Sequence, residues 1–166
     1  SRDQAKTFIY ALIYGAGDEK LGSVAGGGRA VGQGLRKSFF DNLPAFTNLK
    51  NKVARAAGRG YLKGLDGRKL FVRSEHSALN TLLQGAGAIV MKQALVLFND
   101  ELEKEGLDAH FVCNVHDEWQ LEVLEKDADR VGKMGVEAIK DAGDYLYLTC
   151  PLDGEYNVGN NWSETH

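Results

Sequence analysis

Arg2-Asp3-Gln4-Ala5-Lys6-Thr7-Phe8-Ile9-Tyr10-Ala11-Leu12-Ile13-Tyr14-Gly15 opens the chain. Phe8 with Leu12, and Ile9 with Ile13, fall four residues apart, so residues 2–14 predict a helix with one apolar face. Gly15 and Gly17 end it. Arg2, Lys6, Tyr10 and Tyr14 make a second row at the same spacing, about 18 Å long at a rise of ~1.5 Å per residue. The row is ordered, with two cations followed by two aromatic rings. A nucleoside triphosphate has the same order, phosphates at one end and sugar and base at the other. Arg offers planar, forked donors to phosphate oxygens, and Lys offers a compact point charge. Tyr10 can then pack on sugar and base. A solvated polar face gives the same cation spacing; the two tyrosines in register and the closing glycine set this row apart.

Working outward, residues 22–34 are glycine-rich around Gly26-Gly27-Gly28 and predict a mobile or tightly turning connector. A helix follows Pro44, burying Phe46, Leu49, Val53 and Ala56 and ending at Gly58. Residues 60–73 predict a hairpin, because Asp66-Gly67 suits a tight primed turn. A long helix over roughly 77–105 stops at Gly106. Phe111 to Val115 reads as a strand and Trp119 to Leu124 as its return partner. A helix over about 126–142 ends near Gly143, with short strands expected around 145–150 and 154–158. The fold class is α+β, helical first and with antiparallel strands later.

A net charge of −3 over 166 residues hides an asymmetry. Residues 1–76 carry fourteen Lys and Arg against six Asp and Glu, a net +8, and residues 77–166 carry a net −11. A basic front half suits a polyanion such as DNA or a triphosphate. Ordinary solvated surface gives a similar composition. Cys113 and Cys150 have neither a disulfide framework nor a metal spacing, and free thiols in a reducing interior are expected. No apolar run approaches the ~18 residues of a membrane span, and no signal peptide is visible. The expectation is therefore no membrane and a cytoplasmic location.

His116-Asp117-Glu118 falls at or beside the turn joining the two later strands. An acid held by backbone on both sides and pointing outward suits a divalent cation, since magnesium takes hard oxygen ligands and usually one or two protein carboxylates. Two-metal phosphoryl transfer needs such an anchor. A solvated turn is the plain alternative.

Taken together, these stretches resemble family A DNA polymerases, in the branch typified by T7-like phages. Residues 2–15 resemble motif B, the fingers helix, with its Arg, three residues, Lys, three residues, Phe or Tyr, three residues, Tyr-Gly. The likeness implies that Arg2 and Lys6 hold the triphosphate of the incoming dNTP, Lys6 also counting as catalytic. It implies that Tyr10 stacks near base and sugar, with its identity as Tyr bearing on dideoxynucleotide tolerance. Tyr14 would occupy the template-base position when the fingers are open. Val115-His116-Asp117-Glu118 resembles motif C, in the same order after motif B. There the Asp is one of two metal-binding catalytic aspartates, so Asp117 takes that role, His116 contacts the primer end, and Glu118 supports the metal site.

Ser77 to Ala88, with Asn80 and Gln84 one turn apart, resembles the family helix that lies along the primer–template minor groove. Acceptors stand at similar positions there in every correct pair, so an amide donor checks shape without reading sequence. Gly67-Arg68-Lys69 also fits, with Arg68 as a DNA-backbone contact, and Asn161-Trp162 and His166 resemble the closing residues of the T7-like branch.

The resemblance implies a DNA-directed DNA polymerase, a nucleotidyltransferase that moves nucleotides from dNTPs to a primer 3′ hydroxyl with two Mg²⁺ ions on primer–template DNA. It implies a fingers remainder over residues 1–73 and a palm remainder over 74–166. The second aspartate belongs to motif A, upstream of motif B, so an N-terminal polymerase fragment carrying it is the expected partner and this chain alone is expected to be inactive. A processivity factor such as thioredoxin would bind the missing thumb, not this chain. Single-subunit RNA polymerases share the motif B layout but follow His-Asp with Ser; Glu118 and the Asn80/Gln84 helix favour DNA synthesis. A non-catalytic nucleic-acid or partner-binding module is the other reading of the chain alone. Ser1 in first position is compatible with truncation, proteolysis, a split gene or the segment after an intein, and a phage-encoded protein would work in the host cytoplasm.

Overall fold

The computed structural model describes residues 1–166, which form an α+β chain of two compact units, Ser1–Gly85 and Ala86–His166. In the first unit, α1 spans Arg2–Ile13 and begins at a capping box between Ser1 and Gln4. Gly15, at φ +80°, closes it: its amide donates to the Leu12 carbonyl and that of Ala16 to the Ala11 carbonyl. Leu12 is buried, and the Phe8 ring meets Phe39 edge-on at 6.2 Å. Ile9 lies on the exposed side of the stripe.

The glycine-rich stretch is not a connector. It is a helical hairpin, α2 (Asp18–Val24) and α3 (Arg29–Asn42), turning at Gly26 with φ +77°. Its glycines serve backbone contact. A Cβ on Gly22 would overlap the Gly28 carbonyl, and one on Gly32 would overlap the Asp18 carbonyl oxygen. Arg36 locks the pair, its Nε 2.5 Å from Asp18 Oδ1 and its other donor on the Ala16 carbonyl.

α4 spans Pro44–Ala57, starting with proline where the missing N–H costs nothing. β1 (Tyr61–Lys63) and β2 (Lys69–Phe71) then pair antiparallel. Their connection is longer than a two-residue turn: the Gly64 amide still donates to the Arg68 carbonyl, leaving Leu65, Asp66 and Gly67 as the loop, with Gly67 at φ +85°. Val53, Leu62, Ala78 and Leu79 form the buried centre of this unit.

α5 spans Ala78–Lys104, gives its first turns to the first unit and the rest to the second, and stops where Gly106 turns to φ +62°. The segment Glu75–Lys104 is long and apolar enough to cross a membrane by length and composition. Its side chains instead enter both cores, Leu79, Leu82 and Leu83 in one and Leu97, Phe98 and Leu102 in the other.

In the second unit β3 (Ala109–Val115) and β4 (Glu118–Val123) form an antiparallel ribbon, irregular between Phe111 and Cys113. Phe98 packs between the ring edges of Phe111 and the tilted Trp119, at 5.5 and 5.7 Å. α6 (Ala128–Tyr145) supplies Val131 and Ala138 to the same core and runs past the buried Gly143. Cys113 and Cys150 are free thiols.

The strands expected around 145–150 and 154–158 are absent. A strand is stable only in a ladder, and this segment pairs with neither β3 nor β4. It lies on α6 through side chains instead. Leu152 covers Gly143, and the Tyr156 ring sits where a Cβ of Gly132 would be. A one-turn helix, α7 (Trp162–Thr165), follows.

The Tyr156 phenol donates to Asp129 at 2.5 Å, and Lys133 lies 2.6 Å from the same carboxylate. Lys133, then Tyr156, hold the Asp129 carboxyl below the usual carboxylate range. A lowered carboxyl stabilises the fold above its ordinary pKa and ceases to as pH falls through the lowered value. Urea unfolding should therefore find Asp129→Asn less stable than the parent at neutral pH, with the difference closing below the carboxylate range. A difference independent of pH would contradict this.

Candidate functional site

The expected site residues fall on both units. In the first unit, α1 carries Arg2, Lys6 and Tyr10, and Tyr14 caps its C-terminal end at the same four-residue spacing, all four exposed. Arg2 and Lys6 make neither an ion pair nor a side-chain hydrogen bond, which leaves both cations available to an anion. Gln84, on α5, donates its amide to the Tyr14 hydroxyl at 2.8 Å, so two candidates seventy residues apart in sequence are in contact. Asn80, one turn earlier on α5, has a buried side-chain oxygen with no hydrogen-bond partner. Arg68 is committed locally, its guanidinium 2.6 Å from Asp66 in the same hairpin loop.

In the second unit His116 and Asp117 are the entire connection between β3 and β4, since Val115 pairs with Glu118. His116 takes a left-handed φ of 55°, which a non-glycine residue adopts at a cost. That twist matches a two-residue hairpin connection and sends the next side chain to the end of the ribbon. Asp117 is exposed and makes neither a hydrogen bond nor an ion pair.

Glu118 differs from its neighbour in every respect. It opens β4 rather than lying in the turn. Gln120 Nε2 donates to its Oε1 at 2.5 Å, the Trp162 indole N–H to the same oxygen at 3.0 Å, and His166 Nδ1 stands 2.8 Å from Oε2. The Gln120 hydrogen bond, then that of His166, and also that of Trp162, hold its carboxyl below the ordinary value. Sequence reasoning missed Gln120 and Thr165 and gave Trp162 and His166 no contact. No spacing in the sequence links residues 118 and 162.

No group of three or more His, Cys, Asp and Glu is gathered in a way that would hold a metal. A lone exposed carboxylate fits one ligand position of a magnesium ion, which takes few protein carboxylates and keeps several waters. Asp117 has the chemistry of one such ligand, and no set of three His, Cys, Asp or Glu is gathered around it.

Comparison with known proteins places the chain in a lineage. The family model for DNA polymerase family A matches residues 1–164. The chain is 43% identical over 173 residues to the DNA-directed DNA polymerase of Escherichia phage Phieco32, covering 100% of this chain and 28% of that protein. It is 40% identical over 188 residues to that of Escherichia phage T7, covering 100% and 27%. It is 32% identical over 172 residues to DNA polymerase I of Aquifex aeolicus, covering 98% and 30%. Among solved structures, the POL domain of Pol1 from M. smegmatis, in complex with DNA primer-template and dNTP, superposes with a TM-score of 0.75 at 23% identity. That match covers 85% of this chain and 27% of the other. The chain thus spans less than a third of the length of these relatives. The RNA polymerase alternative is not favoured by these likenesses. With nearly every residue matched by the family model and 40% or more identity to two phage enzymes, the chain belongs to DNA polymerase family A.

Proposed function

We propose that these 166 residues are the nucleotide-gripping and metal-anchoring part of a DNA-directed DNA polymerase. They work with upstream polypeptide that carries the second catalytic aspartate. The observation that carries the reading is Asp117: exposed, unpaired, and held at the tip of a two-residue connection in a family A chain.

In this reading residues 1–73 belong to the fingers and 74–166 to the palm. Arg2 and Lys6 bind the triphosphate, Tyr10 packs on sugar and base, and Tyr14 stands by the template base. Asn80 and Gln84 test the minor groove, where a correct pair presents acceptors. His116 touches the primer end and Arg68 the DNA backbone. Family A polymerases are generally magnesium-dependent, and Asp117 would hold an ion that neutralises phosphate charge and activates the attacking 3′ oxygen. The other carboxylate comes from outside this sequence, so primer–template DNA, dNTPs and that upstream segment are the partners.

The test is nucleotide binding in the completed enzyme, with the upstream segment joined or added. A charge-assisted hydrogen bond contributes about 1.5–3 kcal/mol. Lys6→Ala should therefore raise the KM for dNTP by roughly 10- to 150-fold, while affinity for primer–template changes little. An unchanged dNTP KM would remove Lys6, and with it the stripe, from the nucleotide site.

A further inference from the structure

Two carboxylates stand side by side at the β3–β4 connection, yet only one is free. Asp117 has no partner, whereas the Glu118 oxygens accept from Gln120, Trp162 and His166. An ionised carboxylate only accepts, so the His166 Nδ1 facing Oε2 carries its proton and donates. Gln120 is itself held from the far side, its Oε1 accepting from the Thr165 hydroxyl at 3.1 Å. The Trp162 and His166 rings lie edge-to-face at 5.8 Å, which makes the turn one packed unit. Three residues of the 162–166 turn therefore engage the first strand positions after Asp117, across more than forty residues of sequence.

A carboxylate offers about four acceptor positions. Three are taken by donors of this chain, two on Oε1 and one on Oε2, so a single position is left and the carboxylate is oriented by the turn. Outer partners of this kind orient the residue that does the binding, and losing them typically costs about 10- to 100-fold in metal affinity or activity.

We propose that the 162–166 turn is a positioning clamp: Trp162 and His166, acting through Glu118, hold the start of β4 so that Asp117 alone is presented to the metal. Glu118 is then the clamp's anchor and a positioning residue, not a metal ligand. The catalytic part rests on the reading above; the clamp itself does not.

Two measurements separate them. On the isolated 166-residue chain, the Trp162 indole N–H resonance is followed by nitrogen-15 NMR. Glu118→Ala should shift it and speed its exchange with solvent, while Asp117→Asn leaves it in place. An indole resonance indifferent to Glu118→Ala would overturn the clamp. In the completed enzyme, Trp162→Phe with His166→Ala should lower kcat, or raise the magnesium requirement, by roughly 10- to 100-fold, with the dNTP KM unchanged. His166→Asn, which keeps a donor near the Nδ1 position, should recover much of the loss. A present clamp whose removal leaves kcat and magnesium requirement untouched would overturn the positioning role. Should the parent completed enzyme fail to extend a primer, the polymerase reading falls, and the indole resonance still decides the clamp.

Discussion

Asp117→Ala is expected to reduce primer extension by the completed enzyme at least about a thousandfold, roughly 4 kcal/mol of transition-state stabilisation, while leaving the fold unchanged. The two halves of that expectation have separate causes. Metal-held charge is worth several kilocalories per mole where negative charge builds up on phosphoryl oxygens, and Asp117 is the carboxylate at the connection with no other duty. For the same reason its removal should cost the folded state little, because an exposed side chain without partners contributes within about 0.5 kcal/mol. Rate assays paired with urea unfolding of the same variant check both. A variant that is inactive because it unfolds, or one that keeps its activity, would each overturn the assignment of Asp117.

Gly32→Ala carries the second large effect, and it concerns the fold. Its Cβ would enter the space of the Asp18 carbonyl oxygen and approach the Gly22 amide, both of them backbone atoms of α2 that no rotamer change can move aside. Forcing extra volume into such a contact costs about 1–3 kcal/mol and sometimes more. Amides of α2 and α3 should lose protection from hydrogen exchange together. Gly34→Ala, two residues along α3, is the control: nothing lies within 4 Å of its added Cβ. It should stabilise by up to about 1 kcal/mol, since alanine is the better helix former. Equal effects at the two positions would show that the helices are not in backbone contact.

The contrast between those glycines explains much of what was legible in the sequence. Apolar spacing located α1 and α4, while α5 was legible as a stretch running from apolar to charged and closed by Gly106, and α6 as a stretch ending near Gly143. Composition misled at 22–34, where glycine means close packing in one place and a turn in another; only Gly26 has a positive φ in that stretch. The distinction depends on what faces each residue, and that is not local information. The strands expected after residue 145 failed for a related reason: apolar residues there pack on α6, and the segment pairs with no strand of either sheet.

The candidate site divided the same way. The row Arg2, Lys6, Tyr10 and Tyr14 was readable because helical spacing puts residues four apart on one face. Asp117 was readable because a two-residue connection between strands leaves its side chain at the tip. Glu118 was read as a support of the metal site from the likeness of Val115-His116-Asp117-Glu118 to motif C. Asp117 lies in the connection and Glu118 opens β4, and the two carboxylates have different surroundings: one is bare, and the other is gripped by Gln120, Trp162 and His166. The Tyr14–Gln84 hydrogen bond was equally out of reach, since it joins helices seventy residues apart.

The claim that these residues complete a polymerase is tested most directly by primer extension on a primed single-stranded template with Mg²⁺ and dNTPs. Three samples suffice: the chain alone, the upstream segment alone, and the two together. Extension in the combined sample only is the predicted result. Failure of the combined sample to extend, with association of the two parts demonstrated, would contradict it and leave the chain as a nucleic-acid or partner-binding module.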